Sequence, residues 1–169
     1  MHSGNVGHAQ DLDSLVRAGT FLRDLDDLVI AIIGMGARHA ELVGLAKLLE
    51  VDAVRFLHYQ PRDVLQQSLS AANVHVIGLA PGLAGYVVPS RLYGVLAVGR
   101  PVIAAADPES ETAQVVERVG CGIVVPPGRP ELVAFVNQVF DQLKANGRWT
   151  ELYKEHIAPL SGFVAEPPH

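Results

Sequence analysis

A doubly wound α/β fold, with a mostly parallel sheet and helices on both faces, is what this 169-residue sequence predicts, and three observations carry the prediction. Short β-branched runs alternate with stretches of helical periodicity about five or six times. The runs are apolar at successive positions rather than at every second one, as strands buried on both faces require. Hydrophobic residues make up 49% of the chain and charged residues only 18%, which suits one compact domain with a substantial core.

The elements follow in order. Gly4-Asn5-Val6-Gly7 reads as the glycine turn that follows a strand, although almost no strand precedes it; such an opening reads as the second half of something longer. A helix is expected over 11–24, where Leu12, Leu15, Val16, Phe21 and Leu22 form one stripe that packs on the sheet. A strand over 28–33 runs into Gly34-Met35-Gly36, a tight turn that opens a helix over 38–49. A strand over 53–57 leads through Tyr59-Gln60-Pro61-Arg62 into a helix over 62–72. The strand at 74–79 is followed by a glycine loop and a helix over 91–98. Ser90 is expected to cap this helix by accepting a backbone N–H bond, Gly99 to stop it in the left-handed conformation, and Pro101 to prevent its continuation. A strand over 101–106, an acidic loop with Ser110 as cap, a helix over 110–119 and a strand over 122–125 complete the alternation. Helices over 130–145 and 149–157 and a frayed end at 165–169 are expected beyond it.

Several function classes find no support. With 13 basic against 18 acidic residues the net charge is −5, so the electrostatic footprint of a duplex nucleic-acid binder is missing. Gly34-Met35-Gly36 falls short of a dinucleotide fingerprint. His39 holds the place of the third glycine, and Asp52 precedes the next strand instead of ending it. There is no Gly-Lys-Ser or Gly-Lys-Thr loop, no His-Glu-x-x-His and no Cys-x-x-Cys, and the seven histidines show no ligand spacing, so metal chemistry is not expected. Cys121, the single cysteine, lies in an apolar run and reads as a buried thiol. The longest apolar run, 28–37, is about ten residues against the roughly twenty of a membrane span, and no signal peptide opens the chain, so a soluble, cytoplasmic domain is expected.

Residues 87–103 stand out. A guanidinium at Arg91, fixed at a helix start after a hydrophobic strand and a glycine loop, suits a phosphate or diphosphate; an ordinary strand–helix–strand unit with a surface arginine is the simpler alternative. In a doubly wound sheet, His8 and the Tyr59 loop open at the same carboxyl edge as Arg91, where such folds bind ligands.

Six fragments carry a family resemblance: Ser3-Gly4-Asn5-Val6-Gly7-His8, Ile33-Gly34-Met35-Gly36, Arg55-Phe56-Leu57-His58-Tyr59-Gln60-Pro61, Ala71-Ala72-Asn73-Val74-His75, Pro89-Ser90-Arg91-Leu92-Tyr93-Gly94 and Ala97-Val98-Gly99-Arg100-Pro101-Val102-Ile103. In this order they resemble the C-terminal, donor-binding domain of the family-four retaining glycosyltransferases, whose GT-B fold has two Rossmann-like halves. The Pro-Ser-Arg-Leu-Tyr-Gly form looks like the branch that builds bacterial capsule, exopolysaccharide and O-antigen sugars. The resemblance implies a nucleotide-sugar domain over 1–158, a flexible tail over 159–169 and a separate N-terminal acceptor domain, through which the enzyme would be peripheral at the inner membrane. It implies a UDP-sugar or GDP-sugar donor, a glycan or lipid-linked acceptor, no required metal, and an isolated chain that transfers no hexose or acetamido sugar by itself.

By the same resemblance Gly4, Asn5, Gly7, His8 and Arg91, with the N–H groups of Ser90 to Leu92, face the diphosphate. Tyr59, Gln60 and Pro61 cover the base, and Gly82 and Leu83 approach the sugar; no catalytic residue is assigned. Two departures stand out. The family's paired glutamates match Gly94 and the 84–86 stretch, and the arginine and lysine of its first loop match Asn5 and Gln10. A sugar-nucleotide epimerase half and a non-catalytic nucleotide-binding or interaction module are the alternatives.

Overall fold

The computed structural model of the protein describes residues 1–87 and 89–131. Among these residues the chain alternates β1 (His2–Ser3), α1 (Leu12–Ala18), β2 (Ile30–Ile33), α2 (His39–Leu48), β3 (Val54–Leu57), α3 (Leu65–Ser70), β4 (His75–Gly78), α4 (Arg91–Ala97), β5 (Val102–Ala105), α5 (Glu111–Val119) and β6 (Gly122–Val125). Every strand pairing is parallel. The ladders run β1-β2-β3 and β4-β5-β6. They meet where the Met1 nitrogen donates to the Val74 carbonyl at 2.7 Å and the Val76 nitrogen to the Met1 carbonyl at 2.8 Å, the parallel pattern that sets Met1 opposite His75. The resulting order, 3-2-1-4-5-6, is the doubly wound one, with its switch point between β1 and β4.

Alternation along β5 shows why helices cover both faces. Ile103 and Ala105 join the core beneath α1 and α2, whereas Val102 and Ala104 join the one beneath α4 and α5. Each strand residue therefore buries against one layer or the other, and a continuous apolar run is the only pattern that satisfies both. The expectation of two apolar faces holds for β2, β4 and β5 and fails for β3 and β6. These are the outer strands, so one side of each meets solvent, and Leu57 and Ile123 are exposed.

The first helix is shorter than expected. It gives way to a 3-10 turn at Gly19–Phe21, where Gly19 packs against Val51 and Ile30 with no space for a side chain. Leu12, Leu15, Val16 and Leu22 are buried as anticipated, but Phe21 lies on the turn and is exposed. Cys121 is a buried thiol in the second core, and burial pushes its pKa up. The helices anticipated at 130–145 and 149–157 and the 159–169 tail fall almost wholly outside the described residues. Among the described residues no helix is long and apolar enough to cross a membrane.

Candidate functional site

The loops at the carboxyl ends of the strands are tied into one surface. The Val6 nitrogen donates to the Met35 carbonyl at 3.0 Å and the Arg38 nitrogen to the Val6 carbonyl at 3.1 Å, locking the first loop to the second. The Ala80 nitrogen donates to the Ala9 carbonyl at 2.9 Å. Asp107 accepts from the Gly82 nitrogen at 3.0 Å, and Asp11 accepts from the Gly128 nitrogen at 2.7 Å. Neither carboxylate stood out in the sequence. Asp107 read simply as part of an acidic loop before a cap, and that cap is real: Ser110 Oγ accepts from the Ala113 nitrogen at 3.2 Å.

Gly34-Met35-Gly36 forms the tight turn before α2, and its glycines meet the first loop. A Cβ on Gly34 would fall on the Gly4 carbonyl, and one on Gly36 on the Val6 carbonyl, so glycine is what lets the two loops touch.

Arg91 reaches from the start of α4 to the first loop. A Cβ built on Gly4 would lie 2.9 Å from the Arg91 Cζ, so the guanidinium occupies the space that a side chain at position 4 would need. Its Nη1 lies against the ring of the wholly buried His2, 2.8 Å from Nδ1 and 2.5 Å from Nε2. Tyr59 is close enough to act on its charge, and its Cε1 lies 3.3 Å from the position of a Cβ on Gly34. The Tyr59 hydroxyl donates to the Met35 carbonyl at 3.2 Å, which leaves a half-exposed ring beside the guanidinium. Among the described residues the side-chain ion pairs are those of Arg38 with Asp13 and Glu41 and of Arg129 with Glu131; no carboxylate neutralises Arg91. Burial accordingly pushes its pKa down to about 10.

Several expectations are corrected. Ser90 sits in the helical region and makes no side-chain cap. The Leu92 nitrogen donates to the Pro89 carbonyl at 3.1 Å and its side chain is fully buried, so Leu92 offers a ligand neither. Gly99 does adopt the left-handed conformation after α4. His8 is exposed and lies toward Glu41, on which its charge acts. Gln60 donates to the His58 carbonyl at 3.0 Å, and Pro61 leads into a short 3-10 turn; both are exposed. Asn5 lies against Gly36 and Gly7, and Gln10 Oε1 accepts from the Gly7 nitrogen at 3.4 Å, so the two residues at the family's basic positions shape the loop. Gly82 has a positive φ, and the Leu83 carbonyl accepts from the Tyr86 nitrogen at 3.1 Å, giving a compact turn held by Asp107. A Cβ at Gly94 would come within 3.3 Å of Leu69 Cδ1, where α4 packs on α3.

A cavity of about 710 Å³ lies at the opposite, amino-terminal edge, between β2 and β4. Asp24, Asp26 and Asp27 line it, a setting that repels phosphates, so size does not make it the anion site.

The two buried histidines act on stability. His2 is lowered to about 3 by burial and then by the Arg91 charge, and His75 to about 4, chiefly by burial. His75 Nε2 lies 3.0 Å from the Leu69 carbonyl. Both are neutral when folded, while an unfolded imidazole binds a proton near pH 6.5. The stability they support is therefore complete above pH 6.5 and drains away as the pH falls toward 4. The two histidine protons give a slope of about 2.7 kcal/mol per pH unit in that window, and the Met1 amine, which burial pushes down to about 5, adds to it above pH 5. Urea unfolding at stepped pH is expected to show the slope, reduced by about one proton in His75→Gln; a flat profile between pH 6.5 and 4.5 contradicts it.

Fold and edge together define a Rossmann-like α/β domain of the GT-B type, open at its switch point. The chain belongs to the glycosyl transferases group 1 family, which it matches over residues 1–155, as the ordered motifs led us to expect. It is 33% identical over 140 residues to WcaI of Escherichia coli (strain K12), a protein named as a glycosyl transferase of colanic acid biosynthesis; the match covers 82% of this chain and 34% of that protein. The chain thus spans about a third of the length of that curated relative.

Solved structures share the fold. The catalytic domain of cholesterol-α-glucosyltransferase from Helicobacter pylori superposes with a TM-score of 0.73 at 16% identity, covering 96% of each chain. Anabaena Alr3699/HepE in complex with UDP-glucose gives 0.71 at 16% identity, over 95% of this chain and 43% of that one.

Proposed function

We propose that this chain is the donor-binding half of a retaining glycosyltransferase that takes a UDP-sugar or GDP-sugar and passes the sugar to a glycan or lipid-linked acceptor in bacterial surface polysaccharide synthesis. The observation that carries the reading is Arg91: a largely buried guanidinium without a carboxylate partner among the described residues, laid over the Gly4 backbone at the switch point of the sheet. An uncompensated buried charge is costly, and it becomes favourable when an anion arrives. A diphosphate between Arg91 and the 4–7 loop supplies that anion, and the half-exposed Tyr59 ring beside it offers a face for the base. Positive charge held in this way stabilises a departing nucleoside diphosphate without requiring a metal. The acceptor belongs to the other half of the enzyme.

Membership of the family and the UDP-glucose bound to the Anabaena structure support the donor class. Titrating the chain with UDP and GDP is the direct test, with saturable binding of one of them expected. Binding by neither, with the fold intact, overturns the assignment.

A further inference from the structure

A guanidinium on a long flexible stem keeps one direction only when something fixes it, since its side chain has many rotamers to lose. Arg91 is fixed by an uncharged group. The His2 ring is fully buried, faces the backbone of Asn5 and Val76, and sets Nδ1 2.8 Å and Nε2 2.5 Å from Nη1; a neutral imidazole keeps one of these nitrogens unprotonated as the acceptor. A carboxylate at this position would orient the arginine equally well but would also cancel its charge and compete with an incoming anion. A neutral imidazole orients without neutralising.

We infer that His2 is a positioning residue, which holds the Arg91 guanidinium over the Gly4 backbone as a hydrogen-bond acceptor and leaves its full charge for the diphosphate. The inference rests on the donor-site reading and adds to it a residue that sequence patterns gave no reason to select.

The test is a double-mutant cycle read by UDP titration of the 169-residue chain. His2→Phe keeps a flat ring and loses the acceptor, and is expected to weaken UDP binding about 5- to 10-fold, the scale of one ordinary hydrogen bond. His2→Asn places an acceptor near Nδ1 and His2→Gln one near Nε2, and the better of the two is expected to stay within about 3-fold of the parent. In an Arg91→Ala background, His2→Phe is expected to cause no further loss. Equal losses in both backgrounds reduce His2 to a core residue and overturn the inference alone; a parent chain that binds no UDP overturns the donor reading as well.

Should His2→Phe fail to fold, the side-chain NMR signals of Arg91 decide. A single restrained guanidinium environment in the parent and in His2→Asn supports the positioning role. A freely rotating one in the parent overturns it.

Discussion

Replacing Arg91 with methionine is expected to weaken UDP binding about 10- to 100-fold and, at the same time, to raise the unfolding midpoint of the unliganded chain. Both effects have one origin. The guanidinium is largely buried, its pKa is pushed down to about 10 by that burial, and no carboxylate among the described residues compensates it. A cation whose folded pKa lies below its unfolded value opposes folding at neutral pH; here the penalty is on the order of 3 kcal/mol. Methionine fills much of the same space without the charge. Against the relief stand the lost contact with His2 and some packing over Gly4, each worth about 1 kcal/mol. The balance favours the variant by about 1 kcal/mol, or a few degrees in midpoint for a chain of this size. Binding moves the other way, because hydrogen bonds from a charged group to a phosphate contribute about 1.5–3 kcal/mol. Thermal unfolding and UDP titration of the same preparation check the pair of effects. A variant that is both less stable and unchanged in affinity would make Arg91 a structural residue and remove the main support for the proposed site.

This trade of stability for a ready charge explains which parts of the molecule were legible in the sequence. Strands such as Val102–Ala105 declared themselves because burial on two faces leaves a compositional mark that needs no knowledge of the partner. Arg91 was legible as a candidate because a charged residue stood between a glycine loop and an apolar helix. His2 was not. Its importance depends on a contact across 89 positions of sequence, and a histidine on a two-residue strand leaves no periodic signal. Asp11 and Asp107 were hidden for the same reason: each accepts from the backbone of a distant loop, at Gly128 and Gly82. The Ser90 cap failed for a different reason. The sequence rule scores residue type, whereas capping needs an extended backbone at that residue, and the tight turn at Pro89 puts Ser90 in the helical region instead. Ser110 has the extended backbone and does cap its helix.

The junction between the first two loops yields the largest expected change in stability, and it can be posed as one substitution at two glycines. Gly34 has a φ of 135°, outside the range of L side chains, and a Cβ there would fall on the Gly4 carbonyl. Neither loop can retreat. The Gly34 nitrogen donates to the Leu57 carbonyl at 2.8 Å on one side, and the Gly4 nitrogen to the Ile33 carbonyl at 2.8 Å on the other, so relieving the clash breaks the carboxyl end of the β3-β2-β1 ladder. Gly34→Ala is therefore expected to cost about 3–5 kcal/mol, combining backbone strain with a lost hydrogen bond. Gly44 sits exposed within α2, and a Cβ there meets nothing within 4 Å. Gly44→Ala is expected to stabilise the chain by about 0.5–1 kcal/mol, through helix propensity alone. Urea unfolding of the two variants beside the parent measures both signs at once. Equal stabilities for Gly34→Ala and the parent would show that the first two loops do not meet as described, and with that contact would go the surface on which Arg91 is held.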